Sequence, residues 1–206
     1  MAAIMRSGLT LAAIAAVCTA LVALTWTLTQ QRIADNQQAY LERSLQPALG
    51  DVTYDTGILD SRIEIPQPHE VPGSGAAVVY RVYNNGEPAA ALFVVTARDG
   101  YAGPITFLLG VKPDGTVAGV HVLEHRETPG LGDGISKDVS DWPLQFRGRA
   151  IGNPIVEKWA IKDDGGDFDQ LTGASVTPRA MVKAIRKTLL YFNSNRDLVF
   201  AREAAP

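Results

Sequence analysis

Cysteine is almost missing from this chain: Cys18 stands alone among 206 residues. One thiol can form no intrachain disulfide and no cysteine metal cluster, and an exported domain built this way suits either redox compartment. Grouped Lys and Arg are also lacking, and the formal net charge is -3. Nucleic acid is therefore not expected as a partner, because phosphate neutralisation needs clustered cations. No compositional bias points to disorder, collagen or repeats, since 46% of residues are hydrophobic and 20% charged. The length accommodates one ordinary domain plus an anchor.

Charge is absent again between Arg6 and Arg32, where Gly8 to Thr29 reads GLTLAAIAAVCTALVALTWTLT. An apolar run of roughly 20 residues, rising ~1.5 Å each, spans a bilayer core. A cleaved signal is the alternative, but signal cores are shorter and no small-x-small site closes this run. Trp26 suits the interface, and Cys18 reads as a small apolar residue within the span. Arg6 and the terminal amine face Arg32 and Asp35 across it, a slight bias toward a cytoplasmic N-terminus and an exported C-terminal domain. The expected organisation is an anchor over 1–32, a helical stalk over 33–50 and a domain over 51–206.

The soluble part lacks βαβ alternation, which excludes a doubly wound parallel sheet. A loop is expected over Pro66 to Gly75, with three prolines. Strands are expected over Ala76–Tyr83, Ala89–Thr96, Ile105–Val111 and Thr116–Leu123, separated by Asn85-Gly86, Asp99-Gly100 and Asp114-Gly115. Such dipeptides supply the positive φ of tight antiparallel turns. A short strand at Trp159–Lys162 is a further expectation. The last helix reads Pro178 to Phe192, with Met181, Val182, Ile185, Leu189 and Phe192 on one face. Thr177 would be its N-cap, Pro178 its first residue, and Asn193 and Asn195 its end. The fold class is α+β: an N-terminal transmembrane helix, then a mainly antiparallel sheet with packed helices.

Three segments carry candidate chemistry. In Asp169-Gln170-Leu171-Thr172-Gly173-Ala174-Ser175-Val176-Thr177, hydroxyls and small residues converge on a helix start. Free N–H groups and the positive end of the helix dipole make that a phosphate site; a heavily decorated N-cap is the plainer alternative. Glu127-Thr128-Pro129-Gly130-Leu131-Gly132 forms a rigid loop able to offer backbone N–H groups to a flat polar ring, or simply a turn. Lys162 to Asp169 is dense in carboxylates, and alone reads as a solvated acidic loop.

Asp169, Thr172, Gly173, Ala174 and Ser175 match Asp-x-x-(Ser/Thr)-Gly-Ala-(Ser/Thr), a pattern that resembles the motif read by the periplasmic flavin transferase. With Tyr101-Ala102-Gly103-Pro104-Ile105, the His125–Gly132 loop, Asp163–Asp169 and the single anchor, all in order, nearly the whole chain resembles the G subunits of the Rnf/Rsx ion-translocating electron-transport complexes. The C subunit of the sodium-pumping NADH:quinone oxidoreductase is a more distant likeness. The resemblance implies FMN held by its phosphate on the hydroxyl of Ser175, where threonine is commoner, with Thr177 as the fallback. It implies that Thr172, Gly173, Ala174, Thr177 and Lys162 line the cofactor, and that Glu127, Thr128, Gly130, Leu131 and Gly132 border the isoalloxazine. Asp169 would serve recognition by the transferase. The partners implied are other membrane subunits, that transferase during maturation, and lipid around the anchor. The implied location is the bacterial inner membrane, single-pass, with the FMN domain periplasmic. The chain would relay electrons within a redox-driven ion-translocating complex, without independent catalysis.

Rival chemistries find less support in the residues. His121-Val122-Leu123-Glu124-His125 fits H-x-x-E-H, but that zinc pattern needs a helix and this stretch reads as a strand. No Gly-x-Ser-x-Gly elbow surrounds Ser175, which weakens a serine hydrolase. A tethered binding module without redox chemistry is the remaining reading.

Overall fold

The computed structural model describes residues 2–55 and 57–201, with side chains at all of these except 2–5, 7, 10, 31 and 34–43. Contacts divide the chain into two units, Met1–Leu41 and Glu42–Pro206.

A single helix, α1, runs over Ala2–Leu49. Within it, Leu11–Gln30 is long and apolar enough to cross a membrane. Leu9, Leu11, Ile14, Val17, Leu21, Val22, Leu24, Trp26 and Leu28 all stand exposed around its circumference. A helix that is apolar all round and exposed over these described residues suits lipid rather than water. Its polar atoms are satisfied internally: the Thr19, Thr25 and Thr29 hydroxyls donate to carbonyls four residues back, at 2.8, 2.6 and 2.7 Å.

The second unit is built on an antiparallel meander of five strands in sequential order. They are β1 (Arg62–Ile65), β2 (Ala77–Asn84), β3 (Glu87–Ala97), β4 (Ile105–Val111) and β5 (Val117–Glu124). The β2–β3 turn is Asn85-Gly86, at φ 51° and 80°, the paired positive φ of a tight hairpin. β1 was not expected; only four residues long, it leaves a single alternation of Ile63 and Ile65 with Arg62 and Glu64. Trp159–Lys162 forms no strand. Ile161 makes one isolated bridge to Phe168, and the chain folds back at once through Gly166 N–H to the Ile161 carbonyl, at 3.0 Å. Trp159 and Ile161 are buried, so their apolar alternation reflects burial in a loop rather than sheet pairing.

Each sheet face carries a core. One face presents Val79, Phe93, Val95, Phe107 and Leu109 to helix α2 (Val176–Ser194), whose Met181, Ile185, Leu189 and Phe192 are fully buried. Phe93 meets Phe192 edge to face at 6.1 Å. A short α3 (Arg196–Phe200) follows. The opposite face packs Val82, Ala90, Leu92 and Leu108 against Leu45, Ala48 and Leu49, the last turns of α1. Gly110 and Gly119 are cross-strand partners there. A Cβ at either would lie 2.0 Å from the Ala48 carbonyl oxygen or 2.7 Å from that of Pro47, so glycine is what lets the helix end sit on the sheet.

Between β5 and α2 the chain makes only short 3-10 turns. Aromatic packing orders it: Phe146 stacks on Phe168 at 4.9 Å, and Trp159 lies 4.7 Å from the same ring. This segment delivers the chain to the start of α2.

Candidate functional site

α2 begins at Val176, two residues earlier than capping by Thr177 requires, with Pro178 third rather than first. Before it, Ala174 N–H closes a turn onto the Leu171 carbonyl at 3.0 Å. Gly173 sits at φ 77°, where side chains are strained, and a Cβ there would lie 3.4 Å from Leu131 Cδ2. Ser175 is the flanking residue: its carbonyl accepts Arg179 N–H at 3.2 Å, while its side chain makes no capping bond. Ser175 as a residue is half-buried, and the first turn of α2 contains no carboxylate. The N-terminus of a 19-residue helix, with its N–H groups and positive dipole end, thus lies beside a hydroxyl that makes no capping bond among the described residues. Thr172 and Gly173 are exposed and Ala174 half-buried around it.

Thr177 points elsewhere. Its hydroxyl is fully buried and donates to Glu127 Oε2 at 2.5 Å. Glu127 is itself only 4% exposed, and its other oxygen accepts Ala102 N–H at 3.1 Å. A Cβ at Gly100 or Gly132 would lie 2.8 Å from one or other of these carboxylate oxygens. The carboxylate therefore fills a notch between two glycines and ties together the 100–104 loop, the 127–132 loop and the first turn of α2. Glu127 and Thr177 face inward. This cluster was not visible as a unit in the sequence, because Gly100, Glu127, Gly132 and Thr177 come from separate segments.

The 127–132 loop is a turn in which Leu131 and Gly132 N–H groups both donate to the Thr128 carbonyl at 3.1 Å. Those two donors close the turn instead of facing outward. Thr128 and Gly130 lie on either side of Pro129; Gly132 is buried, and Leu131 is 47% exposed beside Gly173.

Asp169 is clamped through its backbone. Its N–H donates to Gln145 Oε1 at 2.7 Å, and its carbonyl accepts Trp142 Nε1–H at 2.6 Å. The carboxylate remains outside and forms an ion pair with exposed Lys162. Two further carboxylates of the acidic segment are engaged too. Asp163 accepts from Gln170 at 2.7 Å, and Asp164 takes both Arg179 N–H groups at 2.6 and 2.8 Å. The Arg179 guanidinium holds the Asp164 carboxyl below its usual range. Trp142 and Gln145 were missed by sequence reasoning, having no local motif.

His121 lies on β5 opposite Leu108. Burial pushes its imidazole below the ordinary 6.5, and Nδ1 has no hydrogen-bond partner among the described residues. His125 follows the strand, and its Nδ1 accepts Glu127 N–H at 3.2 Å. The helical face required by H-x-x-E-H does not arise, and among the described residues no three His, Cys, Asp or Glu gather as a metal site. Ser175 follows a turn, not a strand, so no nucleophile elbow is formed.

The site suits a phosphate monoester such as that of FMN. It has a hydroxyl that makes no capping bond among the described residues, a helix N-terminus, a glycine at positive φ and an open apolar side chain, Leu131. Comparison with known proteins identifies the family. Residues 100–190 match the FMN-binding domain family and residues 1–47 the RnfG N-terminal region. A Vibrio atlanticus (strain LGP32) protein, named as the G subunit of an ion-translocating oxidoreductase complex, is 40% identical over 97% of this chain and 95% of its own length. Its namesake from Pseudoalteromonas atlantica is 37% identical over 96% and 92%. The Pseudomonas aeruginosa (strain UCBPP-PA14) protein of that name is 40% identical over 98% and 94%. The chain belongs to the family of G subunits of ion-translocating oxidoreductase complexes and carries the FMN-binding domain of that family.

Proposed function

We propose that this chain is a membrane-anchored electron carrier of an ion-translocating oxidoreductase complex, with FMN attached through its phosphate to Ser175. The observation that carries the choice of residue is the contrast between two hydroxyls: Ser175 is uncommitted at the start of α2, while Thr177 is buried on Glu127. When bound, FMN supplies electron-transfer chemistry that the protein alone lacks. The chain's own part is to hold and orient. Ser175 anchors the phosphate, the first turn of α2 stabilises its charge, and Gly173 keeps the approach open. Glu127 and Thr177 fix the helix start against the 100–104 loop. Leu131 and Thr128 border the ring from the adjoining turn. Lys162 sets Asp169, whose outward carboxylate is the mark for a periplasmic flavin transferase.

The organisation supporting this role is an anchor over residues 1–32, a stalk over 33–50 and an FMN domain over 51–206. The charge at Arg6 favours a cytoplasmic N-terminus, with the domain in the periplasm and other membrane subunits as partners. Expression with the flavin transferase tests the reading. The denatured wild-type chain retains flavin fluorescence, Ser175→Ala loses it, and Thr177→Val keeps it. A colourless denatured wild-type chain would favour a tethered binding module instead.

A further inference from the structure

A groove of about 760 Å³ runs between α2 and the loop 67–73, bounded by the end of β3. Its floor is made of small residues, Ala97, Ala180 and Ala184, so the space exists because no large side chain fills it. The loop wall is held firmly. His69 Nε2 and Gln67 Nε2 both reach the Gly75 carbonyl, at 3.0 and 3.2 Å, and Thr96 N–H donates to the Pro72 carbonyl at 3.0 Å. Arg98 donates to the Gly73 carbonyl at 2.8 Å.

Cations dominate the rim. α2 contributes Lys183, Arg186 and Lys187, spaced so that they share one side of the helix, and Arg98 adds a fourth. Against them stand only Glu70 and Asp99. Asp99 is taken by Lys183 at 2.5 Å, and that ammonium, aided by Lys187, keeps the Asp99 carboxyl below its ordinary value. Arg186 and Lys187 form no ion pair among the described residues. The groove is thus net positive on a chain whose formal net charge is -3. At helical rise, Ala180 lies ~7.5 Å and Lys183 ~12 Å along the axis from Ser175.

We propose that this groove docks an acidic segment of a partner subunit and thereby seats that partner beside the flavin. The location relative to the cofactor rests on attachment at Ser175; the charge argument does not. Aligned cations beside apolar lining from Val71, Pro72 and Leu190, above the alanine floor, fit an extended chain that alternates carboxylates with small apolar side chains. Such docking is steered by charge and weakens as salt screens it.

The test is the double variant R186E/K187E in the full-length flavinylated chain. Affinity is measured against the purified complex depleted of this subunit, at low and high salt, and covalent flavin is measured on the denatured chain. Covalent flavin stays at the wild-type level, while affinity at low salt falls by at least ~10-fold. The wild-type affinity declines toward that of the variant as salt rises. Wild-type affinity in a variant that retains its flavin would overturn the proposal. So would unchanged subunit affinity with lost binding to phosphatidylglycerol vesicles, which would assign the groove to anionic lipid. Absence of covalent flavin from the wild-type chain would defeat the Ser175 reading alone, since the affinity comparison still scores the groove.

Discussion

Ser175 and Thr177 lie two residues apart on the same helix start, and burial separates what their hydroxyls can do. The Thr177 hydroxyl is at 0% exposure on Glu127 Oε2, so Thr177→Val leaves a buried carboxylate oxygen short of a donor. A cost of ~1–3 kcal/mol is expected, read as a lower denaturant midpoint with flavin attachment preserved. Glu127→Ala removes both bonds and opens a void, whereas Glu127→Gln retains the shape and one acceptor. Flavin incorporation should therefore fall in the alanine variant and largely return in the glutamine variant; equal loss in both would mean that the charge itself is required. His121 gives a pH signature. Its folded value is depressed from 6.5 by burial, so the unfolded chain binds the proton more readily. The stability it contributes is complete above that value and is lost as pH falls through the folded one. Unfolding midpoints should drop between pH 7 and 5 in the wild-type chain and drop less in His121→Leu; parallel pH profiles would contradict this.

At the scale of elements, four strands and the long helix α2 were legible because turn dipeptides and apolar spacing mark them directly. Asn85-Gly86 and the Met181–Phe192 face are the plainest cases. β1 was hidden by its shortness, and Trp159–Lys162 imitated a strand because buried loop residues also alternate. The start of α2 was misplaced by two residues, because a hydroxyl before proline looks like a cap whether or not it faces the helix. The Thr172–Ser175 turn before α2 was legible as a local motif. The inward role of Glu127 was not, since its partners Ala102 and Thr177 come from distant parts of the chain. Gly110→Ala tests how α1 meets the sheet. Its methyl would fall 2.0 Å from the Ala48 carbonyl oxygen, so a loss of at least ~1–3 kcal/mol is expected in thermal unfolding. An unchanged melting temperature would mean that the helix end is not seated there.

For the whole molecule, the contacts divide the chain between Leu41 and Glu42, and the last turns of α1 belong with the sheet. A chain begun at Glu42 should unfold at the denaturant midpoint of the longer protein in detergent. One begun at Asp51 loses Leu45 and Leu49, each 1% exposed, and with them roughly 1.5–3 kcal/mol per side chain. Equal midpoints for the two truncations would show that these turns do not stabilise the domain. The anchor and the FMN domain could both be anticipated from the sequence, one as an uncharged run and the other through the order of its motifs. Where the helix passes from span to core could not, because Leu45, Ala48 and Leu49 read as ordinary helical residues until the sheet is placed beneath them.

The central claim is that flavin is bonded to this chain at the start of α2. Peptide mapping by mass spectrometry, on protein matured with its flavin transferase and then denatured and digested, addresses it directly. The account predicts one FMN adduct on the peptide containing Thr172-Gly173-Ala174-Ser175, with fragmentation placing it on Ser175. An unmodified Ser175 with the adduct on Thr177 or elsewhere, or no adduct at all, would contradict it.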